Sequence, residues 1–412
     1  MKIPLPIGTI SCGLFLVVVS APAQTWMPAN LPSEYWEAVA SSADGSKLIV
    51  GCQQFIYCIS TNSGFTWTTK AEPQTGSGYG SWYCIASSAD GTKYVAINYN
   101  GIWVSTNSGT TWLSNNVPGA SFLAFAALSA DGNKLVVVDG KSTSPGQIYT
   151  STNWGVTVTP TTAPAIHWVS VAASADGTKL VAAGTIYSQN VGFIYTSTNS
   201  GLTWTLTGAP ANQFWAAVAS SADGSKLVAA SGASFGSNQP NGGIFTSTDF
   251  GMTWTSNSVP PAQWESVASS ADGTRLLAVA IEPVGLIYTS TNSGITWVSN
   301  SVPAYGWFSV ASSADGGTLI AAAIVDQSFN PGYIYTSWPT PSPQLRISPA
   351  NPDLKLSWIV PSRNFVLQQN SDLTTTKWMA VTNALVPNLT NLQYEVVLPP
   401  TNNRGFYRLK TH

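Results

Sequence analysis

The stretch Ser41–Val50, "SSADGSKLIV", returns six times along the chain: "SSADGTKYVA" at 87–96, "LSADGNKLVV" at 128–137, "ASADGTKLVA" at 173–182, "SSADGSKLVA" at 220–229, "SSADGTRLLA" at 269–278 and "SSADGGTLIA" at 312–321. Its centre, Ala-Asp-Gly, is turn chemistry, because Asp bonds nearby backbone N–H groups and Gly takes up positive φ. The apolar run that follows reads as a short strand. Each copy is therefore a hairpin corner, with Asp44, Asp90, Asp131, Asp176, Asp223, Asp272 and Asp315 as structural turn residues.

The corners recur at about forty to fifty residues, the period of propeller blades. Seven corners predict seven blades. Within one unit, residues 264–300, four short strands are expected over Trp264–Ser269, Arg275–Ala280, Leu286–Ser290 and Thr296–Asn300, separated by turn residues. The absence of any long helical stripe agrees with an all-β chain.

A second phrase lies between the third and fourth strands of each unit: "STNSGFTW", "STNSGTTW", "STNWGVTV", "STNSGLTW", "STDFGMTW" and "STNSGITW". It resembles the Asp-box, or BNR repeat, of sialidase-type and related propellers. In that family Ser/Thr-x-Asp-x-Gly-x-Thr-Trp places an acid on its own turn and wedges the Trp into the sheet packing. Here Asn62, Asn107, Asn153, Asn199 and Asn292 replace the acid and only Asp249 keeps it; Asn preserves the acceptor and loses the charge. The third copy has Val158 for Trp, so a looser corner is expected there.

There are seven corners but six Asp-boxes, and the chain begins its repeat with "QTWMPANLPSEYWEAVASS", which aligns with "MTWTSNSVPPAQWESVASS". Thr25 and Trp26 stand where Thr253 and Trp254 stand in their unit. The expected fold is an all-β, seven-bladed β-propeller over 24–338, closed by the N-terminal strand so that no sheet edge is left open. The Pro-rich stretch 339–343 then reads as a linker. Residues 344–412, with "LKLSWIV", "NFVLQQN", "LQYEVVL" and "GFYRLK", read as a small C-terminal β-sandwich. Their frame resembles a fibronectin-type-III-like module of secreted Verrucomicrobia and Planctomycetes proteins.

The first 23 residues carry one Lys, an apolar run, and small residues at Ala21 and Ala23, the pattern of a cleavable secretory signal. The mature chain is expected to start at Gln24 and to be secreted, periplasmic or on the cell surface. Cys12 lacks the residues that precede a lipidated Cys, and no other segment has the length and apolarity to span a membrane. Cys52, Cys58 and Cys84 remain: Cys52 with Cys58 is a candidate bridge, with buried free thiols as the alternative.

Only 8% of the 412 residues are charged and the net charge is −2, so no basic stripe exists for nucleic acid. His167 and His412 are the only histidines, which leaves no metal-ligand spacing, no cofactor and no Ser-His-Asp arrangement. A monomer is expected.

Most Asp residues are used by the corners. The turns of the two repeated phrases share one face, so the variable loops define the other, with Glu34, Glu72, Asp139, Glu282 and Asp326. A sialidase reading fails because the repeats contain only Arg275 where an arginine cluster is needed. Glu37 and Glu265 occupy equivalent places in blades one and six, and are the pair to consider for a glycoside hydrolase; as solvated rim acids they need no catalytic role. Aromatic residues offer more. Trp36, Trp82, Leu123, Trp168, Trp215, Trp264 and Trp307 stand eight residues before their corner Asp. Large rings there fill the wedges between blades, or place some edges at the channel mouth as ligand-binding candidates, extended by Tyr79, Tyr187, Phe235, Tyr305 and Phe329.

Two functions follow. One is a non-catalytic binding or scaffolding propeller, resembling the photosystem II assembly-factor-like and sortilin-like branches, that engages an extracellular polysaccharide or protein through its variable-loop face. The other is a carbohydrate-active enzyme resembling the xyloglucanase-like branch. The sparse acids favour binding.

Overall fold

The computed structural model describes residues 24–52, 56–73, 82–98, 101–117, 119–120, 122–140, 145–186, 189, 191–232, 241–282, 285–324, 332–338, 345–350, 353–359, 365–371, 375, 377–381, 386–388, 393–398 and 406–411. The signal segment, Tyr79, Tyr187, Phe235, Asp326, Phe329, the 339–343 linker and His412 lie outside the described residues.

Among the described residues the protein is all-β, with no α-helix, and is built from repeated four-stranded antiparallel sheets. Sheets one to six occupy residues 36–71, 84–115, 123–160, 167–206, 214–256 and 263–299, each with its strands in chain order. Sheet seven takes three strands from 306–338 and its fourth from the opposite end of the chain. Thr25–Pro28 runs antiparallel to Ile334–Trp338, with Thr25 opposite Trp338 and Pro28 opposite Tyr335. Ala29 N–H then donates to Ile334 O, and Glu34 bridges to Gly332.

The strands of sheet six are Gln263–Ser269, Leu276–Glu282, Ile287–Ser290 and Val298–Ser299. The outer strand is shorter than the sequence suggests because Thr296 belongs to the turn, its N–H bonding Asn292 Oδ1 at 2.9 Å. Outer strands this short give a foreign strand little to pair with. Second strands such as Leu48–Cys52 and Leu135–Asp139 are buried at every position, since both of their faces pack on neighbouring sheets. The cores lie between sheets: Val279 and Ile287 of sheet six meet Trp307, Leu319 and Ala321 of sheet seven.

The Ala of each corner explains why the phrase recurs. Ala43 N–H donates to Ala89 O, Ala89 to Ala130, Ala130 to Ala175, Ala175 to Ala222, Ala222 to Ala271, Ala271 to Ala314, and Ala314 back to Ala43, all at 2.7–2.8 Å. The hydrogen bonds close on themselves. The methyl groups of Ala130, Ala175 and Ala222 form a small apolar cluster, with Ala89 and Ala271 against it. The corner Gly is required twice over. Gly91 has φ +61°, and a Cβ there would sit 2.7 Å from Lys47 Cδ of the preceding sheet. Lys47 Nζ itself donates to Asp90 O at 2.9 Å, as Lys93, Lys179 and Lys226 do to Asp131, Asp223 and Asp272.

The C-terminal residues form two further sheets. Arg346–Ala350, Asp353–Ile359, Val386–Asn388 and Gln393–Leu398 make one; Phe365–Asn370, Met379–Ala380 and Phe406–Thr411 make the other. Leu356, Trp358, Leu367, Val396 and Leu398 are buried together.

Candidate functional site

The two repeated turns sit on one face and are satisfied internally. At the first corner Ser42 Oγ donates to Asp44 Oδ1 at 2.6 Å, Ser46 N–H to the same oxygen at 3.0 Å, and Ser46 Oγ to Oδ2 at 2.8 Å. Equivalent bonds hold Asp90, Asp131, Asp176, Asp223 and Asp272. Burial pushes the carboxyls of Asp90, Asp131, Asp176, Asp223 and Asp272 up, but the Ser hydroxyl, the turn N–H and the preceding sheet's Lys together hold them below the usual value. Asp315 is the exception. Its turn has Gly317 in place of a hydroxyl or amide side chain, Oδ2 is buried without a hydrogen-bond partner, and burial raises its pKa.

In the second turn Ser60 Oγ donates to Asn62 Oδ1 and accepts from Gly64 N–H, while Thr66 N–H donates to Asn62 Oδ1. Asn153 makes the same bonds to Ser151 and Thr157 at 2.9 Å. The corner with Val158 thus keeps the Ser and Asn bonds, and lacks the indole N–H bond that Trp67 gives Gly64 O at 3.0 Å and Trp254 gives Gly251 O at 3.1 Å. Sequence reasoning missed a third feature of this face: Phe65, Val156, Leu202, Met252 and Ile295, all preceding the turn Thr, are 54–79% exposed.

Among the described residues no group of three or more His, Cys, Asp and Glu side chains could hold a metal. Among the described residues Cys52, Cys58 and Cys84 are buried thiols outside any disulfide. Cys58 faces Val50 across the strand pair and Cys52 faces Trp36, so the two thiols share a core without bridging.

On the variable-loop face the structure separates the candidates. Trp36, Trp82, Trp168, Trp215, Trp264 and Trp307 are only 0–3% exposed and fill the inter-sheet cores, with Leu123 also buried. Four of the rings pack edge-on against third-strand aromatics, Trp168 on Tyr195, Trp215 on Phe245, Trp264 on Tyr288 at 5.6 Å and Trp307 on Tyr335 at 5.3 Å. None of the six offers a face to a ligand.

Tyr305 is different. It is half-buried in the connection leading into sheet seven, 5.7 Å from Tyr333 and 6.1 Å from both Tyr335 and Trp307, measured between ring centres. Burial, followed by the neighbouring Tyr305 and Tyr333 hydroxyls, pushes Tyr335 up to about 12. Tyr333 was not singled out from sequence. The aligned positions, Ile56, Gly101, Gln147, Phe193, Gly243 and Leu286, vary from unit to unit, and that variability was the available signal.

The acids divide in the same way. Glu37 and Glu265 are the extra residues of β-bulges that re-register their strands beside Trp36 and Trp264; bulges re-aim side chains. The first strand of sheet seven packs between the two strands that carry them. Glu282 ends its strand half-buried, and Asp139 is buried, accepting from Phe122 N–H at 2.8 Å. His167 Nδ1 lies 3.3 Å from Gly140 O. Glu72 is the unexpected one: 3% exposed, it occupies a place where the other units have Leu31, Val117, Ala163, Ala209, Val259 and Val302. Burial raises its pKa to about 9; a hydrogen bond from the Trp82 backbone pulls it back and nearby Glu37 adds to the rise.

No protein-family model matches the chain, and no curated protein matches it. Solved structures do. YCF48 bound to D1 peptide superposes with a TM-score of 0.56 at 11% identity, covering 78% of this chain and 98% of that one. YCF48 from Cyanidioschyzon merolae gives 0.56 at 14%, covering 77% and 98%. Kuenenia stuttgartiensis hydrazine synthase gives 0.55 at 13%, covering 75% and 96%. These are β-propeller proteins, and at such identities the likeness is one of fold. The chain is all-β with a propeller architecture of repeated four-stranded sheets.

Proposed function

We propose that the chain is a secreted, non-catalytic binding or scaffolding protein: a seven-bladed propeller of the Asp-box type over 24–338, with a fibronectin-type-III-like sandwich at 344–412. It engages an extracellular polysaccharide or protein through its variable-loop face. The observation that carries this reading is the pair Tyr305 and Tyr333, two half-buried aromatic rings on the face opposite the self-satisfied turns. Binding residues are usually placed on loops held by a rigid scaffold. The propeller bound to a D1 peptide supplies the precedent for a peptide or protein partner; stacking on Tyr rings suits a sugar.

The test is a glycan array run beside a panel of extracellular proteins. The double variant Tyr305→Ala, Tyr333→Ala should lose at least about tenfold in affinity, roughly 1.4 kcal/mol, while keeping its cooperative melt. Binding that survives the double variant contradicts the assignment.

A xyloglucanase-like hydrolase is the second reading. Its acids are the pair Glu37 and Glu265, with Glu72 as a further candidate because burial keeps its carboxyl neutral and Glu37 adds to that rise, and a neutral carboxyl working with another acid is the arrangement general acid catalysis uses. The burial of Glu72 stands against it, because a general acid must reach its substrate. Turnover of a polysaccharide that Glu37→Gln abolishes would establish the hydrolase.

A further inference from the structure

Sheet seven lacks the second repeated turn, because its third strand ends at Trp338 and its fourth strand is Thr25–Pro28 from the other end of the chain. In the other six sheets the Ser that closes the third strand donates its hydroxyl to the turn's Asn or Asp, as Ser60 does to Asn62 Oδ1 at 2.9 Å and Ser247 to Asp249 Oδ1 at 2.8 Å. The corresponding Ser of sheet seven is Ser337. Its hydroxyl donates to Gln24 Oε1 at 2.9 Å, so the Gln24 carboxamide supplies the acceptor that the missing turn would have carried. At the same time Gln24 N–H donates to Asn300 Oδ1 at 2.8 Å. Asn300 is buried, with Nδ2 held by Ile287 O, Thr289 Oγ1 and Val298 O. Both ends of Gln24 are thus fixed, one on sheet six and one on sheet seven.

We infer that the Ala23–Gln24 bond is the maturation site, and that the amino group released there docks on Asn300 while the side chain completes the seventh turn on Ser337, which keeps Gln24 an open glutamine. The inference rests on the secretion reading. The freed ammonium turns the bond to Asn300 into a charge-assisted one, stronger than the amide bond it replaces.

An N-terminal glutamine ordinarily cyclises. The α-nitrogen attacks Cδ, the new N–Cδ bond forms as Cδ–Nε2 breaks, and Nε2 leaves as ammonia carrying a proton from the amine, with no change of oxidation state. In the five-membered product the ring nitrogen and the Cδ oxygen are held side by side. They cannot then reach two partners on different sheets, so the folded ring opposes the reaction.

The experiment is intact-mass and N-terminal peptide analysis of the protein secreted from the full-length chain, incubated folded and in denaturant. The expected result is a chain that starts at Gln24, retains its ammonia when folded, and cyclises at least about tenfold faster when unfolded, which corresponds to roughly 1.4 kcal/mol of protection. Ser337→Ala should shorten the folded lifetime of the open form; if that variant does not fold, Asn300→Ala is read the same way. A chain that is not exported at all overturns the inference together with secretion, and an exported chain left uncut, or cut elsewhere, overturns the inference alone. A Gln24 start with equal cyclisation rates folded and unfolded overturns this inference alone.

Discussion

The two faces of the repeat differ in what their polar groups have left to give. On the turn face, seven Ala peptides bond to one another in a closed circle and the corner carboxylates are spent on their own turns. On the variable-loop face the units stop resembling each other: Glu72 takes an apolar position, and Tyr305 with Tyr333 forms an aromatic pair that the aligned positions of other sheets do not share. Uniformity marks the side on which sheets hold one another. Departure from it marks the side on which the proposed partner would act.

The sharpest way to break this comparison is to open the circle. Deleting residues 24–32 removes the fourth strand of sheet seven, and should abolish cooperative unfolding followed by circular dichroism. Deleting 344–412 should leave the main transition in place. Equal damage from the two deletions would mean that closure does not organise the fold.

Glu72 provides the next largest effect. Its folded pKa of about 9 lies far above the ordinary carboxylate value, so the folded state binds the proton more tightly than the unfolded state. The stability carried by the neutral form is complete below about pH 4 and drains away as pH rises toward 9. Glu72→Val, which restores the apolar side chain of the other units, should stabilise by about 1–3 kcal/mol at pH 8. The gap in Tm should shrink toward pH 5, and a pH-independent gap would contradict the assignment.

Glycines then compare the faces directly. Gly177, at φ +63° with Lys134 Cδ 2.9 Å from a would-be Cβ, should cost about 1–2 kcal/mol or more on change to Ala. Gly243 on the loop side, whose nearest atom is 3.4 Å away, should change stability by no more than about 0.5 kcal/mol.

Smaller still is the loss of one corner charge. Asp176→Asn should cost about 1 kcal/mol at neutral pH. Because the Asp90, Asp131, Asp176, Asp223 and Asp272 carboxyls are held below their usual value, the stability they supply is present above about pH 4 and disappears as pH falls through their folded pKa values. The Asp176→Asn penalty should vanish there. Asp315→Asn should show no such penalty, since burial raises that group instead.

Much of the fold was legible because its signals are local. A turn needs Asp and Gly at fixed places, and seven copies with an orphan Thr25-Trp26 leave the N-terminal segment one natural strand to pair with. The Ala between Ser and Asp carried no local signal, since a backbone hydrogen bond to the next sheet leaves no mark on side-chain choice. The burial of six tryptophans was one of two readings of a single pattern, and only packing against Tyr288 or Tyr335 decides it. Glu72 was placed among the loop acids because sequence shows its charge and not its surroundings. Val158 was legible only in part: the Ser and Asn bonds persist without the Trp, while the indole bond to the turn is lost.

Hydrogen exchange at the corner alanines tests the central claim most directly. If the turn face is one closed circle, the amides of Ala43, Ala89, Ala130, Ala175, Ala222, Ala271 and Ala314 should exchange together, only through global unfolding, and slower by about a hundredfold or more than the loop amides around Tyr305. A single member exchanging at the loop rate, Ala314 or Ala43 above all, would show the circle open at the place where the chain ends meet and would contradict the account.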